Sequence, residues 1–143
     1  MDYKSVENIL QKAMDSASAR QHEYVTLEHI LLELVKSKPI AKLCEEVQVD
    51  VTSLEEDLEN YLNGDTDTLQ SQNGSKGAPK KTISVERVIQ RGLANAVFSG
   101  RDIIEPIDLL LSIVAEETSY ARYYCELNGL DKEEIIGHLE SRD

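Results

Sequence analysis

Residue types that could do chemistry are few in this 143-residue sequence. Histidine and glutamate stand side by side twice within a short stretch, as His22-Glu23 and Glu28-His29. Imidazole and carboxylate are both zinc ligands, but a zinc site needs three or four ligands placed together. The sequence has no HExxH spacing and no second ligand set, so we predict no metal site. We interpret the two pairs as charged groups at the start of a helix.

Nucleotide binding and nucleophilic catalysis find equally little support. The segment Gly74-Ser-Lys-Gly77 combines glycine with lysine but lacks the GxxxxGK[ST] spacing of a phosphate-binding loop. Cys44, Cys125 and His138 could supply a thiol and a base, yet no motif brings them together, and both cysteines suit small buried thiols. We therefore predict a chain with no catalytic residues and no cofactor. A small thiol hydrolase using Cys44 or Cys125 is the one enzyme alternative.

The charge of the chain narrows the choice of partners. Its 27 acidic and 15 basic residues give a formal net charge of -12. Such a surface repels phosphate backbones and anionic lipids, so nucleic acids and membranes are excluded as expected partners and a basic protein surface is favoured. No apolar run has the length of a membrane span, and there is neither a secretory signal nor a CxxC pair. We expect a reduced, cytoplasmic protein.

The chain contains an internal repeat. Two segments carry apolar residues at i, i+3, i+4, i+7, i+8 and i+11, the stripe of a half-buried helix. The first comprises Val6, Ile9, Leu10, Ala13, Met14 and Ala17, and the second comprises Val85, Val88, Ile89, Gly92, Leu93 and Ala96. Each segment is followed by an apolar helix, residues 26–35 and 105–114.

Helix-capping residues delimit the later elements of each repeat. Thr26 is predicted to cap the second helix, and Glu105 caps its counterpart with Pro106 at the first helical position. A third helix is predicted over residues 39–46 and again over residues 119–128, where Gly129 ends it. The fourth helices are predicted to begin near residues 50–53 and at Asp131, and Leu54 and Leu58 match Ile135 and Leu139.

These patterns predict an all-α fold of eight helices, arranged as two pseudo-symmetric four-helix repeats packed into one domain. We expect a single domain over residues 1–143, with the first repeat at about 3–62 and the second at about 82–140. Residues 63–81 are rich in Gly, Ser, Asn and Asp, which predicts a flexible polar linker. Leu31, in the second helix of the first repeat, should be buried, because neither repeat can cover both faces of its second helix alone.

Two stretches resemble a known family. Residues 22–34, HEYVTLEHILLEL, follow an Ala13, Ala17, Arg20 helix, and residues 82–91 read TISVERVIQR. Together they resemble the Clp N-terminal domain, with its double Clp-N repeat, over essentially the whole chain. Among its branches the chain looks closest to the N-domain of ClpA-type AAA+ unfoldases.

The resemblance implies a docking module mounted on a hexameric unfoldase, outside the ATPase rings and upstream of the ClpP peptidase. Such modules receive the adaptor ClpS and help deliver protein substrates for unfolding and degradation. Carried over position by position, the adaptor contacts fall on Glu23, Glu28 and Thr82, with the carboxylates exposed to pair with adaptor Lys or Arg. Lys80-Lys81 departs from this pattern by placing positive charge beside the acidic contacts.

Other binding functions remain open at this point. A free-standing Clp-N-like protein would bind the same adaptor in competition with the unfoldase. A ClpB-like domain would capture unfolded polypeptide, which an exposed stripe of Leu, Ile and Val would favour. A ClpC-like domain would bind arginine-tagged substrates through paired glutamates. In each case we expect the isolated domain to be monomeric.

Overall fold

The repeated apolar stripe forms two long helices, each followed by three shorter ones. The structure is a computed structural model and describes residues 4–64 and 79–141. Within these ranges it contains eight helices and two two-residue strands, which confirms the predicted all-α class. The elements are α1 (Lys4–Ala19), β1 (Tyr24–Val25), α2 (Leu27–Lys36), α3 (Lys38–Glu46), α4 (Val51–Asn63), β2 (Lys80–Lys81), α5 (Ile83–Phe98), α6 (Pro106–Val114), α7 (Tyr120–Leu127) and α8 (Lys132–Ser141).

The predicted capping residues begin the second helix of each repeat. Thr26 is the N-cap of α2, and its backbone N–H donates to the His29 ring at 2.9 Å. Glu105 is the N-cap of α6, with Pro106 at the first helical position, and its N–H donates to Asp108 at 2.8 Å. Both arrangements satisfy a backbone donor that the first turn of a helix leaves unpaired.

The third and fourth helices also follow their sequence signals. In the first repeat, the third helix (α3) starts at Lys38, one residue earlier than predicted. Its counterpart starts at Tyr120, after Ser119 accepts the Arg122 N–H, and Gly129 follows it with a left-handed φ of +86°. The α4 helix begins after Asp50, whose carboxylate accepts two backbone N–H groups.

One continuous apolar core joins the two repeats. Helices α2 and α6 lie at its centre and pack on each other and on α7, so their apolar side chains are buried on several sides. Leu31, expected in the core, is fully buried, as is its counterpart Leu110. Leu93 is different: we predicted it as part of the α5 core stripe, and its side chain is 47% exposed. It lies at the edge of the stripe, next to the outward face of α5.

A short parallel bridge between the repeats was not predicted. Strand β1 pairs with β2, with Tyr24 opposite Lys80 and Val25 opposite Lys81. The predicted linker, residues 63–81, therefore has structured ends, since Asn63 belongs to α4 and Lys80–Lys81 to β2. Residues 65–78 of that linker, including the Gly74–Gly77 segment, lie outside the described residues. None of the helices in the described ranges is long and apolar enough to span a membrane.

Candidate protein-docking surface

The bridge brings the starts of two helices together at one corner of the molecule. We use the name bridge corner for residues 23–26 and 80–82. The carbonyl of Glu23 accepts the Lys80 N–H at 2.9 Å, and the residue after each strand is an N-cap: Thr26 for α2 and Thr82 for α5. The Thr82 hydroxyl accepts the Val85 N–H at 3.1 Å. Two predicted site residues from different repeats, Glu23 and Thr82, are thus held on neighbouring segments.

The charges of the bridge corner are mixed. Glu23 is exposed, and Lys80 and Lys81 are exposed on the paired strand. Thr82 is half-buried, because its hydroxyl is turned to the α5 backbone. The corner therefore presents one carboxylate beside two ammonium groups. Such a surface is suited to a partner that brings both signs of charge, since charge complementarity across an interface fixes orientation more than it adds affinity.

Glu28 has a different position from the one we expected. Its side chain is only 6% exposed, which makes the expectation of an exposed carboxylate wrong. The carboxylate accepts the N–H of Ala121 at 2.8 Å, in the first turn of α7 in the other repeat. Burial raises the pKa of Glu28, while the Ala121 N–H, its own N–H and the Thr26 hydroxyl oppose that shift. Its partner lies 93 residues away, so no local pattern could reveal it.

Two buried histidines lie directly behind the bridge corner. Nδ1 of His22 is 2.9 Å from Nε2 of His29, and Nδ1 of His29 is 2.9 Å from the Thr26 backbone nitrogen. Because the Thr26 N–H can only donate, His29 Nδ1 is the acceptor, and His29 is a neutral ring that donates from Nε2 to His22. Burial, followed by the nearby His22 and Arg20, lowers the pKa of His29 to about 3. The pair positions the chain before α2.

An apolar patch on α5 is the clearest exposed feature that the sequence analysis missed. Leu93, Val97 and Phe98 are 47%, 60% and 90% exposed. Leu93 and Val97 are one helical turn apart, and Phe98 is the last residue of α5. The signal available in the sequence was Phe98, the only phenylalanine of the chain, just before Ser99 and Gly100. An exposed cluster of this kind marks a surface for protein contact.

The two thiols are poor nucleophiles in this fold. Cys44 and Cys125 are both fully buried and unpaired. Burial raises the pKa of Cys44 to about 11 and also raises the pKa of Cys125. A thiolate is the reactive form, and such pKa values leave almost none at neutral pH. Over residues 4–64 and 79–141, no group of three or more His, Cys, Asp or Glu residues is placed to hold a metal ion.

Comparison with known protein families agrees with this geometry. The family described as "Clp repeat (R) N-terminal domain" matches residues 4–127. A protein described as a ClpA homolog from Fuscovulum blasticum is 32% identical over 143 residues. That alignment covers 97% of this chain and 18% of the relative, so the chain corresponds to only a small part of the relative's length.

Solved structures share the fold at low sequence identity. The N-terminal domain of Hsp104 from Candida albicans superposes with a TM-score of 0.76 at 12% identity, over 89% of this chain and 81% of that one. The N-terminal domain of the ClpV1 ATPase from E. coli superposes with a TM-score of 0.71 at 17% identity, over 92% of this chain and 79% of that one.

Proposed function

Because the chain belongs to the Clp repeat N-terminal domain family, we propose that it is a non-catalytic protein-docking module of a ClpA-like AAA+ unfoldase. In this proposal it binds a ClpS-like adaptor and helps deliver protein substrates for ATP-dependent unfolding and degradation, the ATPase and ClpP chemistry being done elsewhere. The observation that carries the proposal is the bridge corner. There, main-chain pairing of the two repeats places exposed Glu23 beside Lys80, Lys81 and Thr82.

In this proposal the predicted adaptor contacts have different roles. Glu23 has an exposed carboxylate and is the residue on which we place direct pairing with an adaptor Lys or Arg. Thr82 fixes the start of α5 and thereby the strand that carries Lys80 and Lys81. Glu28 supports the corner from inside by holding the first turn of α7. Lys80 and Lys81 add a requirement for carboxylates on the partner, which a purely basic adaptor surface would not meet.

Calorimetric titration of the 143-residue chain with a ClpS-type adaptor tests the proposal. We expect one-to-one binding by the wild-type chain. For Glu23→Lys we expect a Kd at least tenfold higher, since the substitution brings like charges together at the interface. Glu133→Lys is the matched control, because it makes the same charge change at an exposed position on α8. Absence of binding by the wild-type chain, or equal weakening by both variants, would contradict the proposal.

Glu28→Lys is unsuitable for mapping the adaptor surface. It would bury a lysine next to the α7 N-terminus, so lost binding would reflect disrupted packing. Glu28→Gln keeps the shape of the side chain and an acceptor oxygen for the Ala121 N–H. We expect it to leave adaptor binding within twofold of wild type; a loss as large as that of Glu23→Lys would return Glu28 to the contact surface.

A second candidate function rests on the α5 patch. Leu93, Val97 and Phe98 form the exposed apolar cluster that direct capture of unfolded polypeptide requires. The test is anisotropy of a fluorescent, permanently unfolded reporter such as reduced and carboxymethylated α-lactalbumin. Capture predicts weaker binding by Val97→Ser with Phe98→Ser. The control is Ile83→Ser, which removes a 78% exposed side chain at the other end of α5. Equal binding by all three proteins would exclude this function.

A further inference from the structure

A cluster of two arginines and one glutamate closes the outer end of α6 in the second repeat. The Glu116 carboxylate is 9% exposed and accepts from Arg87 Nε at 3.1 and 3.2 Å and from Arg87 Nη2 at 2.5 Å. Arg91 Nη2 donates to the same carboxylate at 2.6 Å. These hydrogen bonds, above all those from Arg87, lower the pKa of Glu116. A carboxylate is thus held between α5 and the end of α6 by two guanidinium groups.

The same place in the first repeat carries different residues. The repeat relation that matches Val6 with Val85 and Val35 with Val114 places Asn8, Lys12 and Ser37 at the positions of Arg87, Arg91 and Glu116. Shorter Asn8 and Ser37 leave the space unfilled, and a surface pocket of about 320 Å³ remains there. Its lining comprises Ser5, Asn8, Ile9, Lys12, Glu33, Lys36, Ser37, Lys38 and Pro39. We call it the lysine pocket.

Charge in the lysine pocket is positive, although the chain as a whole carries -12. Three lysines, Lys12, Lys36 and Lys38, line it against the single carboxylate of Glu33. Lys36 reaches Glu59 on α4 at 3.6 Å. Within the described ranges, Lys12 and Lys38 have no carboxylate within 4.0 Å. The pocket therefore keeps one cation at a position of the second-repeat cluster, Lys12, adds Lys36 and Lys38, and leaves the anion position unfilled.

The start of α3 adds to this preference. In the second repeat the first turn of α7 is capped twice, by the Ser119 hydroxyl and by the Glu28 carboxylate. The N-cap of α3 is Ser37, whose hydroxyl donates to the Leu34 carbonyl at 2.5 Å, as the Ser119 hydroxyl does to the Glu116 carbonyl at 2.9 Å. Unlike Ser119, Ser37 makes no side-chain cap bond. The positive end of the α3 dipole thus faces the pocket without a side-chain cap.

From the missing glutamate, the lysines and the uncapped helix start, we propose that the lysine pocket binds a carboxylate from an acidic segment of a partner protein. The carboxylate takes the place that Glu116 fills in the second repeat. A pocket of this volume admits one or two side chains. The lysine pocket lies at the C-terminal end of α2, whereas the bridge corner lies at its N-terminal end, so this contact is independent of the Glu23 surface and of the proposed adaptor function.

NMR titration of the isotopically labelled 143-residue chain with acetyl-Glu-Glu-Glu-amide tests the proposal. We expect saturable shifts of the backbone amides of residues 8–12 and 36–38, and none with acetyl-Gln-Gln-Gln-amide. The double variant Lys12→Gln, Lys38→Gln should weaken the response at least fivefold. Lys80→Gln with Lys81→Gln removes the same charge at the bridge corner and should leave the response within twofold of wild type.

A second variant fills the pocket with its own carboxylate. Asn8→Arg, Lys12→Arg and Ser37→Glu together install the second-repeat cluster without changing net charge, and should abolish the response to the peptide. Retained shifts in this folded variant would overturn the proposal. It would also be overturned by equal weakening in the two lysine double variants, which would indicate general charge attraction. Saturable shifts at these amides with inorganic phosphate but not with the peptide would overturn the carboxylate assignment.

Discussion

The two repeats use the same pair of positions for different chemistry. In the first repeat, His22 and His29 form a buried neutral pair at the start of α2. In the second, Arg101 and Asp108 form a two-pronged ion pair at the start of α6, with N···O distances of 2.7 and 2.8 Å. His29 and Asp108 both accept the backbone N–H of the N-cap residue. The fold therefore requires an acceptor for the N-cap N–H at this position and a hydrogen-bonded partner seven residues earlier, but not a charge.

The largest effects should come from core positions that the repeats share. Leu31→Ala and Leu110→Ala each remove a fully buried leucine from the central helices. We expect each to lower the free energy of unfolding by about 2–5 kcal/mol, as for other buried leucines. Urea denaturation followed by circular dichroism measures the loss. An unchanged midpoint in either variant would show that the core is not shared by the two repeats.

Exchanging the polar pairs tests whether they are equivalent. Asp108→His should cost about 2–3 kcal/mol, because it removes the two-pronged partner of the partly buried Arg101 and leaves only the 3.6 Å contact with Glu105. Adding Arg101→His recreates the histidine pair of the first repeat, and we expect it to recover at least half of that loss. The double-mutant cycle is read from urea midpoints. A double variant no more stable than Asp108→His would show that the two sites are not interchangeable.

Acid should affect the first repeat through its histidines. The folded pKa of His29, about 3, lies below its ordinary value of 6.5, so the unfolded chain binds the extra proton between these values. The contribution of neutral His29 to the free energy of unfolding is thus fully present above pH 6.5. It is lost as pH falls towards 3, by about 1.4 kcal/mol per pH unit. His29→Gln should show a correspondingly shallower decline in unfolding free energy from pH 6.5 to 5. Parallel declines would refute a neutral His29.

The smallest predicted effect concerns the residues that end the third helices. Gln48 follows α3 with φ +62°, and Gly129 follows α7 with φ +86°. A side chain is strained in this region, so Gln48→Gly should stabilise the chain by about 0.5–1 kcal/mol, and Gly129→Gln should destabilise it by about 1 kcal/mol. Thermal unfolding of the two variants would display opposite shifts in Tm; shifts of the same sign would contradict the assigned conformations.

Local signals in the sequence were sufficient for the helices and their caps. The i, i+3, i+4 stripes predicted α1 and α5, and Thr26, Glu105 and Gly129 marked boundaries that the structure confirms. These features depend only on residues within one or two turns. The exposure of Leu93 was mispredicted because a stripe specifies a face but not how far the neighbouring helix extends over it.

Features of the candidate surfaces depend on distant parts of the chain. The bridge pairs residues 24–25 with 80–81, and two residues give no strand pattern of their own. Glu28 looked like a surface carboxylate because its partner, Ala121, lies in the other repeat. The lysine pocket depends on the contrast between the repeats: Glu116 and its arginines fill in the second repeat the place that Ser37 leaves open in the first.

The Glu28 contact with α7 also sets an order for folding. Its carboxylate is buried against the Ala121 N–H, a group made 93 residues later in synthesis. While only the first repeat has left the ribosome, Glu28 has no such partner, and burying it would be unfavourable. We expect the first repeat to stay loosely packed at α2 until α7 emerges, so that the nascent chain closes in one late, long-range step rather than repeat by repeat.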